Sequence, residues 1–173
     1  MTWTAPPIDR RDLPSEGDER TLLNAFLDFH RETLLWKCSG LTGAQLALRP
    51  VPTSTMSLLG LVRHMTDVER YWLRNVVGNE DMTTLYWDQP DHDSDFDDIC
   101  VAGAEHDFTA YLEETEQCRA VQPARDLDSI VTDRANGGRN SFRWVMVHMI
   151  EEYARHNGHA DLFREAIDGA VGE

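Results

Sequence analysis

Glu152 and His156 stand four residues apart in the stretch 141–169, SFRWVMVHMIEEYARHNGHADLFREAIDG. On a helix that step sets two side chains one turn apart on the same face, roughly 5–6 Å between Cβ atoms. A carboxylate and an imidazole so placed can grip one divalent ion. The best candidate for a third ligand is His64, inside the apolar run SLLGLVRHMTDVERYWLRNVV. Two imidazoles and a carboxylate suit Zn²⁺ first, with Ni²⁺ or Fe²⁺ as alternatives, and a three-ligand set keeps a position open for water or substrate. Openness of that kind belongs to catalytic sites. The blander readings are that a Glu–His pair at this spacing is a surface hydrogen bond and that a lone helical histidine is a satisfied, half-buried group. What tells against them is position. Val145, Met149, Glu152, His156, Ala160, Phe163 and Ile167 recur at steps of three and four, so the ionisable pair lies in the middle of an apolar stripe. Left uncompensated there, the pair would cost several kcal/mol.

Two further histidines compete. His148 precedes Glu152 by one turn and could complete a single-helix site in place of His64, and His159 follows His156 by three residues. Both sit off the centre of the stripe, so they read as groups behind the ligands or at the rim of a pocket, with a proton-shuttle role open to imidazoles that titrate near neutral pH. Glu151 is similarly peripheral. Arg139, just before the helix in Gly-Gly-Arg-Asn, is a candidate contact for a substrate carboxylate. His30, His92 and His106 read as ordinary helix and loop residues. Cys38 and Cys118 carry no sign of thiolate activation.

The elements that must position these groups are helices. Ser141 is an expected N-cap and Gly169 an expected left-handed stop for the final helix. A first helix is expected over about 18–37, with Leu22, Leu23, Phe26, Phe29, Thr33 and Trp36 as its stripe, and a short turn over 42–48. A second runs over 57–77, with Leu58, Leu61, Met65, Val68 and Trp72 inward, and a third over about 99–121, with Val101, Ala104, Phe108, Tyr111, Leu112 and Thr115 inward. Residues 80–98 form a long acidic and aromatic connection in which Pro90 and the aspartates disfavour regular structure, and such a connection is a lid, crossover or binding loop. Its acidic run lacks the glycine and glutamate of a helix–loop–helix calcium site and reads as solvated. Residues 122–140 read as loop, turning at Asn136-Gly-Gly. The expected fold is therefore an all-α four-helix bundle, one domain over 15–173 after an extended segment 1–14.

The chain has 173 residues and a formal net charge of −15, which argues against nucleic acid and anionic membrane surfaces as partners. Three widely spaced cysteines without a CxxC motif point to reduced thiols and a cytoplasmic location. No leader or membrane-spanning run is read. There is no phosphate loop, nucleophile elbow or HExxH motif. A small-molecule substrate and a monomer or homodimer fit this composition.

Helix two, GLVRHMTDVERYW, and the final helix, RWVMVHMIEEYARHNGHADLFREAIDG, resemble the DinB-like superfamily, and within it the actinobacterial mini-circle protein branch. The superfamily also includes the mycothiol-dependent maleylpyruvate isomerase and the bacillithiol transferases. The resemblance implies an up-down-down-up bundle with a long crossover between helices two and three. It implies a divalent metal held by a histidine on helix two and two residues at i, i+4 on helix four, with glutamate first as in the isomerase. Carried over, the ligands are His64, Glu152 and His156. It further implies a transferase or isomerase that uses a low-molecular-weight thiol such as mycothiol. A metal-containing bundle that only binds a small ligand is the alternative. His159 departs from the family pattern, standing where many relatives have glutamine.

Overall fold

The computed structural model describes residues 2–87, 93–122 and 125–172. Local chemistry sets the element boundaries. Helix α1 (Glu19–Cys38) starts at Asp18, whose carboxylate accepts the Thr21 N–H. The short α2 (Gly43–Leu46) is held by a capping box, the Thr42 hydroxyl accepting from Gln45 N–H while the Gln45 side chain accepts from Thr42 N–H. Helix α3 (Leu58–Glu69) is capped by Ser57 and continues as a π-helical segment over Arg70–Val77. A short α4 (Ser94–Asp97) and a 3₁₀ turn (Val101–Gly103) lead into α5 (Ala104–Val121). Strands β1 (Ile130–Thr132) and β2 (Arg139–Ser141) pair antiparallel, Val131 opposite Asn140, and β2 runs straight into α6 (Phe142–Asp168). Ser141 caps α6 by accepting from Trp144 N–H, and Gly169 closes it at φ 77°, a conformation that costs glycine little.

The chain forms the expected helical bundle. Glu19 pairs with Arg143 and Lys37 with Asp161, so α1 and α6 lie side by side in the same direction. Trp72 meets Trp144 while His64 meets His156, so α3 crosses α6 in the opposite sense. Arg63 faces Asp107 and Arg70 binds Glu114, which sets α5 alongside α3 in the same direction. Leu27, Leu34, Leu58, Leu61, Met65, Met146 and Met149 are fully buried between them, each side chain stabilising by about 1.5–3 kcal/mol relative to exposure. Among the described residues no helix is long and apolar enough to cross a membrane.

Four expectations need correction. The core face of α1 is Leu27, Leu34, Leu35 and Cys38, whereas Phe26 is exposed. Phe29 and Trp36 are covered instead by the N-terminal segment, where the Arg10 guanidinium lies 4.6 Å from both ring centroids. That extended segment is tied down by Ala5 N–H to the Leu41 carbonyl and by Arg11 to Glu32. Val101 in the 3₁₀ turn and Leu112 on α5 face solvent, and Ala104, Phe108, Tyr111 and Thr115 point inward. Residues 130–141 are a hairpin rather than loop, with strands too short to show a period-two pattern. Within the acidic connection, Ser94, Asp95 and Phe96 form a buried helical turn. Pro90, His92 and the rest of 88–92 lie outside the described residues.

Candidate metal centre

His64 reaches the site from α3, and Glu152 and His156 from α6. One ligand atom from each lies within 4.8 Å of the others. The two imidazole centroids are 4.7 Å apart with their planes at 63°. Glu152 Oε2 stands 3.6 Å from His156 Nε2, and its Oε1 3.6 Å from His148 Nε2. Both gaps exceed a hydrogen bond. The three groups thus converge without satisfying one another. Burial, reinforced by the neighbouring His64 and His159 rings, pushes His156 down to about 3. It stands as the neutral imidazole, the form that binds metal.

Asp95 fixes the third donor. Its Oδ2 lies 2.7 Å from His64 Nδ1, and its other oxygen accepts from Phe96 N–H. A buried carboxylate on Nδ1 keeps the proton there and leaves the Nε2 lone pair for a ligand. Phe96 stacks on the same imidazole at 5.3 Å. Phe96 comes this close because residue 60 is glycine, where a Cβ would stand 2.6 Å from the Phe96 ring.

The acidic connection is held on the bundle by one polar face of α3. Asp67 accepts the N–H groups of Leu85, Tyr86 and Trp87 at 2.7, 2.8 and 2.9 Å. Arg63 donates to the Asp95 and Ser94 carbonyls and lies over the Tyr86 ring. Together with His64, these residues place Asp95 and Phe96. The solvated reading of this run fails for Ser94, Asp95 and Phe96, because Arg63 satisfies the Ser94 and Asp95 carbonyls that burial would otherwise orphan. Asp95 and Phe96 are residues of the candidate site that the sequence reading missed. The one hint was an aromatic residue embedded among aspartates.

A cavity of about 570 Å³ adjoins His64, walled by Val68, Tyr71, Trp72, Trp87 and Phe96. The wider π-helical winding lets the consecutive Tyr71 and Trp72 line one space, and such windings recur at functional sites. Tyr71 also donates to Asp133 on the hairpin. His148 is stacked on Trp144 at 4.9 Å, edge-on to Trp72 at 4.8 Å, with Nδ1 3.4 Å from exposed Glu151. His159 Nδ1 lies 3.4 Å from His156 Nδ1. Both histidines therefore touch the candidate trio. Arg139 is exposed on β2 and does not line the cavity. His30 packs on Asn157 and His106 is exposed on α5.

The pattern that defines the mycothiol-S-transferase family matches residues 22–169. The chain belongs to the mycothiol S-transferase family. It falls within the DinB-like superfamily, to which helix two and the final helix had pointed. No curated protein matches the chain. Everything described in the site lies inside the span shared with the mycothiol S-transferases, and the N-terminal strap lies outside it. Membership suggests a mycothiol-dependent transferase activity acting on a small thiol.

Proposed function

We propose that the chain is a metal-dependent transferase that joins mycothiol to an electrophile, with a divalent ion, zinc foremost, held by His64, Glu152 and His156. The observation that carries this reading is the convergence of three donor groups that make no hydrogen bond to one another. The donor set fits such an ion. His156 is neutral, Asp95 turns the His64 lone pair inward, and Glu152 is ionisable and half-buried. When bound there, the ion supplies a Lewis acid that brings the pKa of a thiol toward neutrality.

The chain's own groups do the rest. Val68, Trp72, Trp87 and Phe96 exclude water from the reacting sulfur and hold the acceptor against it. His148, between Glu152 and exposed Glu151, is placed to pass the thiol proton outward through its two ring nitrogens. His159, against His156, has the same chemistry available on the other side.

Elemental analysis of untagged protein beside His64→Ala and Glu152→Ala tests the site. About one ion per chain is expected in the parent and none in either variant, with conjugation of mycothiol lost in parallel. A parent that takes up no zinc, nickel or iron from excess would end this reading.

A further inference from the structure

Resting on the transferase reading above, we infer that the cavity beside His64 takes an uncharged, largely apolar acceptor and turns away anionic ones. The site then conjugates neutral electrophiles and does not process dicarboxylates.

The walls carry this inference. Val68, Tyr71, Trp72, Trp87 and Phe96 supply apolar surface, and the charged residues among the described lining are Asp67, Asp93 and Asp95 besides His64. No lysine or arginine is among them, and residues 88–92 (DQPDH) contain none either. A bound carboxylate needs a cation or several N–H and O–H donors, and apart from the isolated indole N–H groups of Trp72 and Trp87 the donors here are engaged. The N–H groups of Leu85, Tyr86 and Trp87 go to Asp67. The Tyr71 hydroxyl goes to Asp133, the Thr84 hydroxyl to the Trp87 carbonyl, and His64 Nδ1 to Asp95. Arg63 on α3 is held by the carbonyls of Ser94 and Asp95 and stands 3.7 Å from Asp107.

A divalent ion does not reverse the balance. Its two positive charges are offset by Glu152 and Asp95, which leaves exposed Asp93, and Asp67 with its three backbone N–H partners, without a cation in the described lining. The chain's net charge of −15 adds repulsion at longer range. At about 570 Å³ the space suits a ring-sized molecule.

The reaction can be probed with a matched pair, a chlorodinitrobenzoate and its methyl ester. In both, the thiolate sulfur attacks the carbon bearing chlorine. The C–S bond forms, the C–Cl bond breaks, chloride leaves with the electron pair, and the thiol proton is released to solvent. Each enzymatic rate is divided by the uncatalysed rate with the same thiol. Separately, binding of the unreactive dinitrobenzoate and its methyl ester to ion-free protein is followed by tryptophan fluorescence quenching.

The ester is expected to lead by about tenfold or more in both readouts, with the gap narrowing in high salt and in Asp93→Lys. A carboxylate that matches or beats its ester in binding overturns the inference, as does failure of both to bind. If the ester binds preferentially and no conjugate forms, charge selection stands and the transferase reading falls.

Discussion

Helices α3 and α6 meet at two polar clusters about a turn apart, and the two are built on opposite principles. In the closed cluster Glu69 is fully buried and accepts from Arg31 through two bonds of 2.7 Å and from the Tyr153 hydroxyl at 2.8 Å. Tyr153 in turn sits 2.8 Å from the Tyr111 hydroxyl, and Arg31 reaches Asp28, which also binds Arg119. Every charge has its partner inside the protein, as burial demands. In the open cluster the side chains of His64 and Glu152 are 27% and 19% exposed, and Glu152 stands 3.6 Å from both His156 and His148. The same pair of helices thus shows what a polar group looks like when the fold completes it and when it is left for a ligand to complete.

The sharpest way to break the comparison is to remove one anion from each cluster. Glu69→Ala takes both 2.7 Å bonds from Arg31, which is 2% exposed, and leaves it Asp28; it should cost about 3–5 kcal/mol in urea unfolding. Glu152→Ala removes a partly buried carboxylate that makes no hydrogen bond, and should cost under about 1 kcal/mol. Equal losses would erase the distinction. Addition of zinc gives the next largest effect. At a hundredfold excess over Kd it should stabilise the parent by about 2.7 kcal/mol, and should do nothing for His64→Ala. A thermal shift of the same size in that variant would place the ion elsewhere. Asp95→Asn comes third: it keeps the shape of the connection and loses the charge behind His64. Zinc affinity measured against a competing chelator should fall about 10–100-fold. Unchanged affinity would make Asp95 an anchor for the connection alone.

The half of the candidate site carried by one helix was legible in the sequence, because Glu152 and His156 obey a local period and Ser141 and Gly169 mark the helix that bears them. His64 followed from its place in an apolar run. Asp95 was not legible, since its contact with His64 spans 31 residues and exists only once Arg63 and Asp67 have gathered in the connection. Those two residues look like an ordinary solvated face until their partners are known. Glu69 and Arg31 were hidden for the same reason, as charges on helices are usually outside. The π-helical segment leaves composition and apolar spacing almost untouched, so Tyr71 and Trp72 could not be seen to share a wall.

The smallest expected effect probes how tightly the closed cluster is closed. The Tyr153 hydroxyl has a single proton, and it goes to Glu69. The bond to Tyr111 must then be donated by Tyr111. Tyr111→Phe removes that donor and leaves the Tyr153 oxygen under-coordinated, at a cost of about 1 kcal/mol. Cys118 reports the result directly, because its buried thiol donates to the Glu69 carbonyl and burial pushes its pKa well up. Cys38 is buried as well, with its thiol pushed up to about 12, so exposed Cys100 should be the thiol labelled in the native protein. Tyr111→Phe should speed labelling of Cys118 by about fivefold, the population of open states that 1 kcal/mol admits, and leave Cys38 unchanged. If Cys38 and Cys118 accelerate together, the hydroxyl chain supports the whole bundle rather than one cluster, and the two polar regions of α3 and α6 do not open independently.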